Sequence, residues 1–433
     1  MIVDLKAGKG RLSKIAEQMG AVLRGEDRLI FRLCTHSEEI KGGELFCALT
    51  GKDDGFYYIR RAQKNGAAAV LCDRVPSVDI PYILVPDVVE ALGKWAHAVR
   101  CKHSVRCIAI TGSVGKTSTK EAVFSVLKRH FRTHATGGNY NNLLGVPFTL
   151  LSMPKNSEVL IVELGTNRKG EISALSKIVC PSLAVITAIG NAHIEAFGDR
   201  IGVLEEKLGI LAAMEDGGTL LIPDNEPLLE KDFKNILRIS VPPEPSAMPD
   251  IASAQALGFA KSIARILGVN EESIQNALPL AKENASRRKT TEVSGICLID
   301  DAYNASPESM LTAFEYLKSK AKGRRVLILG DMLELGKETA RLHREIGKAA
   351  SICADVVFLF GDFKEYYADG VNVSGEKTEL HFLKGTTPKA LSKEIISAIK
   401  EGDTLLFKAS HAAHADEICK ALTNELSKRK QKG

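Results

Sequence analysis

The sequence predicts an α/β protein of three units, and three observations carry that prediction. Apolar runs such as Cys107–Ile110, Val159–Val162 and Leu183–Thr187 alternate with helical stretches, the pattern of parallel strands covered on both faces. The alternation restarts after about residue 289, with Ile296–Ile299 as its first apolar run. One run, Ile108–Thr111, passes through a glycine-rich turn straight into Lys116-Thr117 and a helical segment. A chain of 433 residues has room for roughly three domains at about 150 residues each.

In chain order, residues 1–86 read as a small α/β unit. Its strands are expected at Leu29–Leu33, Glu44–Leu49, Ala68–Cys72 and Tyr82–Val85, and its helices at Arg11–Met19 and Tyr57–Asn65. Asp87–Arg100 repeats Val88, Leu92, Trp95 and Val99 at three- and four-residue steps, the stripe of an amphipathic helix, so 87–103 is expected as a linker helix. The central unit extends to 288, with Thr219–Ile222 as a fourth buried strand and Asn270–Arg288 as the expected hinge. Residues 289–433 form a doubly wound unit. Its further strands are expected at Arg325–Leu329, Asp355–Phe360 and Thr404–Phe407, and its helices at Pro307–Lys320, Thr339–Ser351, Pro388–Lys400 and Ala415–Ser427.

Composition excludes several classes. Hydrophobic residues make up 45% and charged residues 26%, as in ordinary globular proteins. The net charge of +5 is small and sits partly in Lys428-Arg429-Lys430-Gln431-Lys432, so no nucleic-acid partner is expected. No apolar run approaches the ~20 residues of a membrane span, and Met1–Lys6 lacks a signal-peptide pattern. The nine cysteines are scattered without a Cys-x-x-Cys pair, which points to free thiols and a cytoplasmic location.

The turn Thr111-Gly112-Ser113-Val114-Gly115-Lys116-Thr117-Ser118 has the chemistry to hold a nucleotide's phosphates. Glycines let backbone N–H groups converge on phosphate oxygens, the lysine adds positive charge, and the threonine hydroxyl can ligate Mg²⁺. The helix that follows contributes its N-terminal dipole. The loop is short, with two residues between Gly112 and Gly115 where the usual motif has four before Gly-Lys. Glu163 closes an apolar strand, the position where ligands gather in a parallel sheet, so it is a Mg²⁺-ligand candidate. His193 follows another strand end and reads either as a ligand or as a structural histidine. Asn139, Asn141 and Asn142 suit a polar ligand or a turn. Asp301, Tyr303 and Asn304, just past a buried strand, suit a ribose and a purine or form an ordinary loop.

Six motifs occur in order: TGSVGKTS, GNYNNLLGVP, VELGTNRKGEI, NAHIEAFG, DDAYNASPESM and GDMLELG. Together they resemble the Mur ligase family. The resemblance implies ATP-dependent amide-bond formation in peptidoglycan synthesis, with a UDP-substrate unit, an ATPase unit and a Rossmann-like C-terminal unit. Its substrates would be UDP-N-acetylmuramoyl-tripeptide and D-alanyl-D-alanine, its cofactors ATP and Mg²⁺ at two sites, and its expected state a monomer. By this resemblance the loop Gly112–Ser118 with Lys116 holds ATP phosphates, and Thr117 and Glu163 ligate one Mg²⁺. His193 and a carbamylated Lys207 ligate a second, and Asn139, Asn141 and Asn142 line the substrate cleft. Arg287 or Arg288 reaches the phosphates, Asp301, Tyr303 and Asn304 meet the adenosine, Lys408 and Ser410 lie near the incoming amine, and Ser37 serves the UDP-linked substrate.

The chain departs from the family pattern at both substrate ends. Asp-Ser-Arg reads His36-Ser37-Glu38, and Lys-Gly-Ser-Arg reads Lys408-Ala409-Ser410-His411. At the carbamylation position Lys-Gly-Glu reads Lys207-Leu208-Gly209. Two alternatives stand beside the leading one: another Mur- or folylpolyglutamate-type amide ligase, and a nucleotide-binding homologue without ligase activity.

Overall fold

The structure is a computed structural model that describes all residues except Lys52, Asn225, Lys231, Asp232, Lys234, 245–249, Ser286, Arg287 and 431–433. Three six-stranded sheets follow one another along the chain. The first is mixed: Arg32–Cys34, Leu45–Cys47, Ala69–Cys72 and Tyr82–Leu84 run parallel, and Ile2–Asp4 and Val22–Arg24 pair antiparallel at its edges. The expected strand Leu29–Leu33 is broken. Leu29–Ile30 pairs with Gly10–Arg11 in a separate ribbon, while Arg32–Cys34 joins the main sheet. The break falls at Phe31, which turns outward and is 49% exposed.

The helix Val88–Lys102 begins where Asp87 accepts the amide N–H of Glu90 at 2.8 Å, satisfying one orphan donor of the first turn. Its stripe of Val88, Leu92, Trp95 and Val99 is buried. These side chains belong to one apolar cluster running from Val3 and Leu12 in the first unit to Leu150, Leu175 and Ile222 in the central one. The helix is therefore packed core rather than a free tether.

The central sheet is wholly parallel, in the order Thr133–Ala135, Val159–Glu163, Arg106–Thr111, Leu183–Ile186, Thr219–Pro223, Leu237–Val241. Successive side chains of a strand point to opposite faces. Ile108, Ile110, Val159 and Ile161 accordingly pack beneath Lys116–Leu127 and Ile251–Ile266, while Cys107, Ala109, Leu160 and Val162 face the other helical layer. Within the expected hinge Asn270–Arg288, the structure places the helix Glu271–Ala285. Ile274, Ala277, Leu278 and Ala281 recur on one side of it and are buried in the central core, so packing holds this segment helical despite Pro279.

The third sheet orders Lys289–Val293, Ile296–Asp300, Thr404–Lys408, Arg325–Leu329, Val356–Leu359, Glu379–Phe382. The first of these is antiparallel and the rest are parallel. Pro307–Lys320 starts at a Ser306 capping box, with Pro307 in the first helical position. This three-sheet α/β architecture agrees with the expected fold class. No helix among the described residues is long and apolar enough to cross a membrane.

Candidate active site

The central and C-terminal sheets bring the carboxyl ends of their strands to one open cleft of about 590 Å³. Ser113–Ser118, Asn139, Asn141, Asn142, Glu163, His193, Arg288, Asp301, Tyr303, Asn304 and Lys408 all contribute to its wall. This is where a doubly wound sheet holds its ligands.

The phosphate loop is rigidly braced by the end of the neighbouring strand. Ser113 N–H donates to Ala188 O at 2.9 Å, and Thr187 Oγ1 donates to Val114 O at 2.5 Å and to Thr111 O at 3.2 Å. Gly112 has a φ of +147°, and a Cβ there would sit 2.0 Å from Thr187 Oγ1, so only glycine fits. Lys116 Nζ lies over the loop and donates to Gly112 O at 2.7 Å and Ser113 O at 3.4 Å. Behind it, Thr117 Oγ1 and Glu163 Oε2 are 2.5 Å apart. Asn141 Nδ2 donates to the other Glu163 oxygen at 2.9 Å, and Glu163 is 1% exposed. A hydroxyl and a carboxylate side by side at the mouth of a phosphate loop form a hard-oxygen donor set that suits Mg²⁺. Asn142 Oδ1 also accepts Gly145 N–H at 2.8 Å, starting the helix Gly145–Ser152.

His193 adopts left-handed backbone, with a φ of 59°. Its Nδ1 pairs with Glu334 of the C-terminal unit, and this contact holds the Glu334 carboxyl below its ordinary range. Lys207, in the last turn of Arg200–Leu208, is 1% exposed and does not itself line the cleft. Burial, then the nearby Lys116 charge, brings its amine down to about 7. Such an amine is about half neutral at pH 7 and largely neutral above it, the form in which nitrogen attacks an electrophile.

On the C-terminal side, Arg288 Nη1 donates to Asp250 at 2.6 Å and Nε to Asp301 at 3.2 Å, with its guanidinium 4.5 Å from the Tyr316 ring centroid. Lys408 Nζ donates to Asp301 Oδ2 at 3.1 Å and to the carbonyls of Asn304 and Asp301 at 3.0 and 3.3 Å. Tyr303, 46% exposed, meets the His411 ring edge-on at 6.1 Å between centroids. Ser410 is buried and its hydroxyl accepts Leu333 N–H at 2.9 Å, so it braces the loop after Leu329. Ser37 is buried in the first unit and is not part of the cleft wall; its carbonyl accepts Asn65 Nδ2 at 2.8 Å. Glu38 pairs with Arg61 at the surface. Of the two hinge arginines, Arg288 is placed in the cleft and Arg287 lies outside the described residues. Sequence reasoning did not single out Asp250, Glu308 or Glu334. The last two lie inside motifs already recognised, DDAYNASPESM and GDMLELG, whereas Asp250 lies in no recognised motif.

Fold and site together define a nucleotide-phosphate-binding α/β protein whose site is an open cleft between two largely parallel sheets. Residues 110–274 match the Mur ligase middle domain, and residues 286–411 match the Mur ligase glutamate ligase domain. The UDP-N-acetylmuramoyl-tripeptide–D-alanyl-D-alanine ligase of Bacillus subtilis is 33% identical, over 96% of this chain and 98% of that protein. The Escherichia coli enzyme of the same name is 30% identical, over 95% and 98%. The crystal structure of MurF from Acinetobacter baumannii superposes with a TM-score of 0.89 at 27% identity, covering 98% of this chain and 100% of that one. MurF from Thermotoga maritima in complex with ADP does so at 0.78 and 27% identity, over 92% and 98%. The chain belongs to the Mur ligase family.

Proposed function

We propose that this protein joins D-alanyl-D-alanine to the tripeptide carboxylate of UDP-N-acetylmuramoyl-tripeptide, using ATP, in peptidoglycan synthesis. The observation that carries this reading is that ligases of that name match the chain almost end to end, so all three units are shared and not the nucleotide-binding one alone.

A carboxylate does not react with an amine at neutral pH, because its oxygen is a poor leaving group. Transfer of the ATP γ-phosphoryl group to the carboxylate oxygen makes an acyl phosphate and releases ADP. The dipeptide amine then attacks the acyl carbon, loses a proton, and expels phosphate with the bridging oxygen. The loop Gly112–Ser118 cradles the phosphates, and Lys116, already lying over the loop, offsets charge on the transferring group. Arg288 approaches the phosphates from the C-terminal side, and Asp301, Tyr303 and Asn304 meet the adenosine. Asn139, Asn141 and Asn142 line the acceptor side. Lys408 and Ser410 shape the place of the incoming amine, and Ser37 belongs to the UDP-binding unit.

Thr117 and Glu163 would hold one Mg²⁺, and His193 with carbamylated Lys207 a second. Bound there, Mg²⁺ screens the repulsion between phosphate and carboxylate oxygens. The lowered Lys207 amine supports the carbamate: its neutral form adds CO₂ and releases one proton, placing an anion where a neutral amine stood. We further propose that the protein acts as a monomer in the cytoplasm, where its nine free cysteines stay reduced.

ADP release with UDP-N-acetylmuramoyl-tripeptide, in the presence and absence of D-alanyl-D-alanine, tests the reading. Turnover that requires the dipeptide is expected. ADP release indifferent to the dipeptide contradicts it.

A further inference from the structure

The segment Gly190–Glu195 of the central unit is gripped by the C-terminal unit at both ends. At one end stands Glu308, in the first turn of Pro307–Lys320, where the helix dipole favours a carboxylate. Its Oε1 accepts Asn191 N–H at 2.8 Å and Asn191 Nδ2 at 2.7 Å. Its Oε2 is buried with no hydrogen-bond partner among the described residues. The carboxylate fits because residue 190 is glycine: a Cβ there would come within 2.6 Å of the Glu308 carboxyl carbon. Gly190 N–H in turn donates to Ser113 Oγ of the phosphate loop at 2.9 Å. At the other end Glu195 N–H donates to Glu334 O at 3.2 Å, and Glu334 pairs with His193. His193 and Glu334 face each other with φ of 59° and 62°, left-handed conformations that a non-glycine residue keeps only when its surroundings hold it.

We propose that Glu308 is a positioning residue for the ligase reaction: its carboxylate, seated in the Gly190 socket, latches the C-terminal unit onto the phosphate loop. Docking is then transmitted through two residues, from Glu308 to Asn191-Gly190 to Ser113, so docking fixes the Gly190 N–H that holds the Ser113 side chain, on a loop whose backbone is already braced within the central unit. Nucleotide can enter an undocked protein through the central unit alone, but phosphoryl transfer requires the docked one. The latch rests on the ligase reading for its catalytic consequence and on geometry alone for its docking consequence.

The test compares full-length wild type, Glu308→Ala, Glu308→Gln, Gly190→Ala and the double variant Gly190→Ala/Glu308→Ala. Dipeptide-dependent ADP release and small-angle X-ray scattering with a saturating non-hydrolysable ATP analogue are both measured. Glu308→Ala is expected to lower kcat about tenfold with the KM for ATP within twofold, and to increase the radius of gyration of the nucleotide-bound protein. Glu308→Gln, which keeps one oxygen for Asn191, falls between it and wild type. Gly190→Ala alone matches or exceeds the loss in Glu308→Ala, and the double variant is no worse than Gly190→Ala, because the added methyl and the carboxylate compete for one space. Full kcat in Glu308→Ala, or an unchanged scattering profile, overturns the latch. Multiplicative losses in the double variant overturn the socket. An inactive wild type contradicts the ligase reading, while the scattering comparison still decides the latch.

Discussion

The central and C-terminal sheets both deliver a lysine to the cleft, and they hold it differently. Lys116 is half-buried, and its amine rests on two backbone carbonyls of a glycine loop. Lys408 is 2% exposed and held by the Asp301 carboxylate and two carbonyls. Arg288 extends the second arrangement by joining Asp250, a central-unit residue, to Asp301. On the proposed reading, the Lys116 amine lies where an incoming phosphate would meet it. The C-terminal side pairs its charges with carboxylates, which fixes the geometry of the wall that would meet the phosphates and the incoming amine. One site therefore has a reacting half and a docking half.

That division is broken most directly at the reacting half. Lys116→Ala should lower kcat by about 10²–10³-fold in an ADP-release assay, the cost of losing one donor aimed at developing charge. A loss confined to the KM for ATP would place Lys116 in ground-state binding instead. Lys207→Ala should also remove most activity, and added short carboxylates should restore part of it by supplying the missing anion; no effect of the substitution rules out the carbamate. The Lys207 amine is protonated below about 7, so activity at limiting CO₂ should fall as pH drops through that value. Stability moves the same way. The unfolded chain binds this proton up to its ordinary value of 10.5 and the folded chain only to about 7, so stability should rise with pH across that window. Lys207→Met should flatten that rise, measured by denaturant unfolding at several pH values.

The docking half should answer in stability. Arg288→Ala takes the cation from the fully buried Asp250 carboxylate, which keeps the Ser253 N–H and hydroxyl. Uncompensated buried charge of this kind costs about 3–5 kcal/mol. Denaturant unfolding measures it, and a cost under about 1 kcal/mol would show that water replaces the guanidinium. The smallest effect is expected farthest from the chemistry. Glu38→Arg breaks an exposed pair with Arg61, worth about 0–1 kcal/mol, so the unfolding midpoint should hardly move. The KM for the UDP-linked substrate should change by no more than about threefold; a larger change would bring the first unit's Ser37 segment into substrate contact.

Legibility in the sequence follows the same division. The strand Arg325–Leu329 and the helix Pro307–Lys320 are readable to the residue. A strand buried on both faces is a continuous apolar run, and Ser306-Pro307 marks a helix start. The edge strands Thr133–Ala135 and Leu237–Val241 escape, because partly exposed strands carry Thr133, Arg238 and Ser240 and show no apolar run. Glu271–Ala285 falls within the stretch expected as a hinge, and only its packed stripe reveals the helix. In the site, the phosphate loop and Glu163 are legible because local spacing and strand position encode them. Glu308 and Glu334 act through partners in another unit, a pairing that exists only once the sheets are docked, and Asp250 acts through Arg288 at the far end of the hinge.

The central claim is that this cleft makes an acyl phosphate, and oxygen transfer tests it directly. UDP-N-acetylmuramoyl-tripeptide labelled with ¹⁸O in its reacting carboxylate is turned over with ATP and D-alanyl-D-alanine, and the released phosphate is analysed by mass. The mechanism predicts that each phosphate carries one oxygen from the labelled carboxylate group. Phosphate free of label, formed alongside the amide product, would contradict it.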